Sequence, residues 1–122
     1  MRATLQPGLV TSRTLIVYKE HSPRHLLPTI VLSTPFMIET IEYLCTEVVA
    51  DHLESEETTV GAHVDIYHRA AAREGEEVTF TCELGMVDRR RLLFDVAVRC
   101  GERVIGEGIH ERFVIDRQRF AS

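Results

Sequence analysis

The pattern of apolar residues predicts one long helix, over residues 33–52. At 100° per residue, seven apolar side chains of this stretch share one arc: Met37, Ile38, Ile41, Leu44, Cys45, Val48 and Val49. Thr34 has a hydroxyl that can cap free amides, and the ring of Pro35 suits the first helical position. We therefore expect an amphipathic helix that begins at Thr34 and turns one face to a core.

The other apolar residues alternate with polar ones, which is typical of strands that are buried on one face. The alternation predicts strands over residues 11–18, 59–70, 77–87, 92–100 and 103–116, the last with a bulge or bend at its glycines. In the second strand Ala62, Val64, Ile66 and His68 share the face predicted to meet the helix. Because the last four strands are joined by short turns, we expect an α+β fold: an antiparallel sheet of about five strands and one helix.

Composition narrows the class of protein. A chain of 122 residues, 44% hydrophobic and 27% charged, predicts one soluble globular domain over residues 1–122. Its net charge of −5 argues against a nucleic-acid binder. We find no apolar run of about 20 residues and no signal-peptide core, so we expect no membrane span and a cytoplasmic location. The three cysteines are widely spaced in apolar segments, which favours buried thiols over disulfides or a metal site.

Two ionisable residues interrupt the apolar pattern. Glu42 falls at the edge of the helix arc, and His68 falls on the core-facing side of its strand. Each has an ordinary interpretation: Glu42 as an edge residue that extends to water, and His68 as a hydrogen-bonded core histidine. Thr34, at the start of the helix, has the ordinary interpretation of a simple helix cap. Together they supply a carboxylate, a base and a hydroxyl beside the positive end of a helix dipole. Acyl transfer requires these residue types.

The chain also resembles a known family through motifs that run in order along nearly its whole length. They are RHLLP (24–28), TPFM (34–37), EYLC (42–45), Gly61, His68, GEGIHER (106–112) and VI (114–115). These motifs are similar to those of the fluoroacetyl-CoA thioesterase family. That resemblance implies the hotdog fold, in which a curved antiparallel sheet wraps around a long central helix.

The resemblance also implies roles for particular residues. Thr34, Glu42 and His68 match the catalytic positions of the family, and the Gly61 backbone matches a position that helps hold the thioester. Arg112 matches an arginine that supports the site, although a solvated strand arginine is its alternative interpretation. The implied activity is hydrolysis of an acyl-CoA or related acyl thioester, with coenzyme A as part of the substrate and no other cofactor or metal. The implied assembly is a homodimer or a dimer of dimers, with each site between the helix and a strand of the partner.

Two departures from the family pattern limit what carries over. Residues 29–33, which precede Thr34, form a shorter segment than in the family and contain no aromatic residue, so we do not expect specificity for fluoroacetyl-CoA. Pro35 stands where the family has a glycine, which removes one backbone donor. The sequence leaves open whether Glu42 is a nucleophile or a general base, and which acyl group and carrier are used. A non-catalytic module that binds or senses an acyl ligand is the alternative function, and no dehydratase Asp-to-His motif is evident.

Overall fold

One antiparallel sheet of five strands and one long helix make up the fold. The computed structural model describes residues 1–122. Its elements are β1 (Val10–Ile16), α1 (Thr34–Ala50), β2 (Glu57–His68), β3 (Glu77–Asp88), β4 (Arg91–Cys100), β5 (Arg103–Asp116) and α2 (Arg117–Ala121). The strand order is β1-β3-β4-β5-β2, so β1 and β2 form the two edges. The predicted α+β fold is therefore confirmed, while the short helix α2 and the 3₁₀ turns at Lys19–His21 and Arg24–Leu26 were not predicted.

Helix α1 covers the core face of the sheet. Its buried residues include five of the predicted arc, together with Thr40, whereas Ile38 and Val48 are only partly buried. They join a core of 20 hydrophobic residues in which Phe80 and Phe94 are the largest fully buried side chains. All three cysteines are free thiols. No helix of the chain has the length and apolar character that crossing a membrane requires.

The residue that caps the helix differs from the prediction. Ser33 is the capping residue: it has extended backbone angles, and its hydroxyl accepts a hydrogen bond of 3.1 Å from the amide of Phe36. Pro35 therefore occupies the second helical position rather than the first. The prediction that Thr34 caps the helix is wrong, because the preceding serine already fills that role. The Thr34 hydroxyl is consequently free for another partner.

Strand β2 does not alternate cleanly, because it contains a bulge. Gly61 pairs with Arg112 and His63 pairs with Glu111, which leaves Ala62 as an extra residue. The bulge changes which residues face the core: Thr59 is buried before it, and Ile66 packs on the core after it. Val64 pairs with the buried His110 and so lies on the core face, as predicted, but at the sheet edge it remains 42% exposed.

Candidate active site

The start of helix α1 meets the end of strand β2 through a direct contact. The Thr34 hydroxyl lies 2.7 Å from Nδ1 of His68, a hydrogen-bond distance. Thr34 is exposed and His68 is half-buried. Burial lowers the pKa of His68 below its usual value of 6.5, and a hydrogen bond with the backbone of Ala70 partly opposes that effect. His68 is therefore a neutral imidazole near pH 7, able to take a proton from a hydroxyl or a water molecule.

The first helical turn has few free amide donors. Pro35 has no amide hydrogen, and the Phe36 amide is occupied by Ser33. The amide of Met37 donates to the Ser33 carbonyl oxygen. The Thr34 amide is therefore the one in this turn that makes no capping or helical hydrogen bond. Its amide and the positive end of the helix dipole can stabilise negative charge beside the Thr34–His68 contact.

Glu42 belongs to a second cluster, formed with Gly61 and Arg112. One of its carboxylate oxygens, Oε1, lies 3.5 Å from Nη1 of Arg112. A Cβ atom added at Gly61 would stand only 2.7 Å from the same oxygen and 3.3 Å from Arg112 Nη1. A side chain at position 61 would therefore displace the carboxylate, which explains why this position holds a glycine.

Two hydrogen bonds to Thr59 hold Arg112 in place. Its Nε donates to Thr59 Oγ1 at 2.8 Å, and its Nη2 donates to the Thr59 carbonyl oxygen at 3.1 Å. Only 6% of Arg112 is exposed, so the alternative of a solvated strand arginine is wrong. Two of its nitrogens are thus fixed by strand β2, and the third is directed at Glu42.

The sequence interpretation missed His110, which completes this cluster. His110 is fully buried, and its Nδ1 lies 2.8 Å from the carbonyl oxygen of His63, beside the bulge. Its Nε2 lies 3.1 Å from Arg112 Nη1 and 3.8 Å from Glu42 Oε1. Burial is the main cause that lowers the pKa of His110. The available signal was its spacing: it stands two residues before Arg112 on one strand, and such residues share a face.

The three predicted catalytic residues do not meet within one chain. No hydrogen bond joins Glu42 to Thr34 or His68; its side-chain partner is Arg112, with His110 close by. The eight residues from Thr34 to Glu42 correspond to about 12 Å along a helix axis. The structure therefore contains two half-sites, which we call the Thr34–His68 pair and the Glu42 cluster (Glu42, Gly61, His110 and Arg112).

A shallow cavity of about 260 Å³ opens beside the Glu42 cluster, with Glu39, Glu42, Tyr43, Thr46 and Arg112 as its lining. No group of three or more His, Cys, Asp or Glu side chains is arranged to hold a metal ion. The side chains of both half-sites can move protons and stabilise charge, which are the two tasks of acyl transfer.

Known proteins resemble this chain in sequence. A sequence model of the fluoroacetyl-CoA-specific thioesterase family matches residues 10–118. The fluoroacetyl-CoA thioesterase of Streptantibioticus cattleyicolor is 33% identical over 128 aligned positions, which cover 98% of this chain and 92% of that protein. The chain belongs to the fluoroacetyl-CoA-specific thioesterase family.

Solved structures agree with this membership. The structure of the fluoroacetyl-CoA thioesterase FlK superposes with a TM-score of 0.86 at 33% identity, covering 96% of this chain and 93% of that one. A hot-dog-like protein from Thermanaerovibrio acidaminovorans gives a TM-score of 0.86 at 21% identity, covering 94% and 87% of the two chains. The second likeness concerns the fold alone, and it confirms the predicted hotdog architecture.

Aromatic rings pack near the start of helix α1, although the segment directly before Thr34 has none. Residues 29–33 contain none, as the sequence indicated. The His21 ring instead packs 4.5 Å from the Phe36 ring, and the Tyr18 ring lies 6.0 Å from His21. The carbonyl oxygen of His21 also accepts a hydrogen bond from the Ser33 amide. An aromatic cluster therefore packs against the start of the helix that carries Thr34.

Proposed function

We propose that this protein hydrolyses an acyl-CoA thioester to a free acid and coenzyme A. The observation that supports this proposal most directly is the contact between the Thr34 hydroxyl and the half-buried His68, whose pKa burial lowers, at a helix N-terminus. A hydroxyl, a base and a positive dipole end are what a thioester carbonyl needs at the point where its oxygen becomes negative. The chain's family membership supports the same activity.

In the proposed reaction, the thioester carbonyl lies at the start of helix α1, with its oxygen near the Thr34 amide. Either the Glu42 carboxylate attacks the carbonyl carbon and water later releases the acid, or Glu42 activates the water directly. In both routes the C–S bond breaks and the sulfur leaves as a thiolate with the bonding electrons. The attacking water loses a proton, to His68 in the first route and to Glu42 in the second, and this proton ends on the leaving sulfur through His68. These side chains suffice without a metal, and we place the reaction in the cytoplasm.

This chemistry requires Glu42 to reach His68, and we propose that a second copy of the chain supplies it. Strand β2 is a sheet edge, and its residues 61–65 and Tyr67 are exposed, so its free backbone groups are available for pairing. In an antiparallel pair related by a two-fold axis, each residue faces its counterpart across the centre. An axis near Asp65, midway between Gly61 and His68, would place the Gly61 of one chain opposite the His68 of the other.

The bulge supports this arrangement. Residues opposite one another in an antiparallel pair point to the same face, so Gly61 and His68 must both face the helix. They do, because Gly61 faces Glu42 and His68 faces Thr34. Two complete sites would then form per dimer, each from the Thr34–His68 pair of one chain and the Glu42 cluster of the other.

Complementation tests the activity and the shared site together. Glu42→Gln and His68→Ala each remove one half-site, so either variant alone should lose most hydrolysis in a free-thiol assay with a panel of acyl-CoAs. After the two are mixed, unfolded and refolded, half of the dimers are mixed, and each mixed dimer regains one intact site. We expect about a quarter of the wild-type activity. No recovery would place the whole site within one chain.

A binding or sensing module is the alternative function. It predicts acyl-CoA binding in calorimetry with no thiol released from any member of the panel, and this result would exclude a thioesterase. Within the active enzyme, the lack of aromatic residues at 29–33 predicts little preference for fluoroacetyl-CoA over acetyl-CoA. A kcat/KM for fluoroacetyl-CoA that is much larger than the kcat/KM for acetyl-CoA would contradict this prediction. The rings of His21 and Phe36 would then be the candidates for the source of the selectivity.

A further inference from the structure

The strongest unassigned feature is the buried imidazole of His110, which the reaction outlined above does not use. Its surroundings fix its hydrogen atoms. The His63 carbonyl oxygen can only accept a hydrogen bond, so Nδ1 of His110 must carry the proton. A guanidinium can only donate, so Nε2 must present its lone pair to Arg112. Only the neutral form with the proton on Nδ1 satisfies both contacts.

We propose that His110 is a positioning residue that directs the Arg112 guanidinium at Glu42. This role rests on the proposed thioesterase function. Thr59 binds Nε and Nη2 of Arg112, and Nη1 is the nitrogen that lies near Glu42. The two bonds to Thr59 hold one edge of the planar guanidinium, and His110 Nε2 is the acceptor that holds Nη1 itself. Without this third anchor the guanidinium can tilt about its bonds to Thr59, and Nη1 then moves relative to Glu42.

His110 also connects this arginine to the β2 bulge. The oxygen that its Nδ1–H binds belongs to His63, the residue that directly follows the extra residue Ala62. One side chain thus joins the bulge, which turns Gly61 toward the helix, to the cation that holds Glu42. Two interpretations follow: His110 acts on Glu42 through Arg112, or it merely stabilises the bulge.

Two substitutions separate these interpretations, because amide side chains of different length mimic different ring nitrogens. Asn can donate to the His63 carbonyl from the position of Nδ1 but does not reach Arg112. Gln extends to the position of Nε2, where its oxygen can accept from Arg112. Positioning predicts that His110→Asn lowers kcat about 10-fold or more while His110→Gln stays within about threefold of wild type. A purely structural role predicts the reverse order, and that result would overturn the proposal.

A double-mutant cycle adds a readout that stability does not affect. If His110 acts through Arg112, then His110→Asn should change kcat less than about twofold in an Arg112→Met background. An undiminished effect in that background would overturn the proposal. If His110→Asn does not fold, His110→Gln decides alone: a folded His110→Gln variant with the kcat of Arg112→Met would contradict positioning.

Crystal structures of the two variants test whether His110 positions Arg112 independently of any measurement of activity. We expect the approach of Arg112 Nη1 to Glu42 to persist in His110→Gln and to be lost in His110→Asn. If wild-type protein releases no thiol from any acyl-CoA, the proposed function fails, yet these structures still decide whether His110 sets the arginine. An unchanged Arg112–Glu42 contact in His110→Asn would overturn the proposal whatever the activity.

Discussion

Replacing Gly61 by alanine should inactivate the enzyme without unfolding it. The new Cβ atom would lie 2.7 Å from Glu42 Oε1, and an ordinary contact needs at least 3.4 Å. Because the backbone at Gly61 does not have the positive φ that disfavours side chains, the clash falls on the flexible carboxylate. Glu42 must therefore retreat by about 0.7 Å or rotate away from Arg112.

The expected loss follows from that displacement. A misplacement of about 1 Å in a reacting group costs on the order of 100-fold in rate. We expect kcat/KM to fall about 10- to 100-fold, which corresponds to about 1.4 to 2.7 kcal/mol of activation free energy. The free energy of unfolding should change little, because alanine is slightly better than glycine inside a strand.

Gly85→Ala provides a matched control on strand β3. Its added Cβ would stand 2.6 Å from Oδ2 of Asp95, again a carboxylate oxygen, at another bulge of the same sheet. This second clash lies away from both half-sites. Free-thiol release and thermal unfolding should be measured for both variants. Gly61→Ala with near wild-type kcat/KM, or Gly85→Ala with an equal loss, would refute the assignment of Glu42 to the site.

Two further predictions concern the Thr34–His68 pair. Thr34→Val should lower kcat with little change in stability. Ser33→Ala should instead lower the free energy of unfolding by about 1 kcal/mol with little change in kcat, because only Ser33 caps the helix. Equal effects of the two variants on kcat would contradict this prediction. Since burial lowers the pKa of His68, the rate should fall at acid pH as the imidazole protonates, and His68→Ala should remove this acid limb. The unfolded chain binds the His68 proton more tightly than the folded chain, so stability should also fall as pH drops below 6.5. If the acid limb of the rate profile persists in His68→Ala, another group is responsible for it.

The sequence predicted the elements well because their apolar patterns are long. A helix of 17 residues and four strands of ten or more residues each repeat their period several times. It predicted Glu42 and His68 as unusual residues for the same reason, since each interrupts a regular pattern. The capping residue was misassigned because Ser33 and Thr34 have the same chemistry, and only backbone angles distinguish them.

His110 and Arg112 were harder to interpret because their partners are distant in sequence. Arg112 binds Thr59 and approaches Glu42, which stand 53 and 70 residues away along the chain. No local pattern around a charged strand residue reveals whether such partners exist. The resemblance to a family drew attention to Arg112, but His110 acquires its importance only from the contact of its Nε2 with that arginine.

The bulge at Ala62 is the feature on which the two halves of the site depend. Gly61 and His68 are seven residues apart, so in a regular strand they would point to opposite faces. Residue alternation therefore could not have put both of them in one active site. One extra residue between them restores a common face, and only then can Glu42 and Thr34, on the same helix, approach the same strand. A deletion of Ala62 should accordingly reverse the face of either Gly61 or His68, so that one half-site is lost while the other remains.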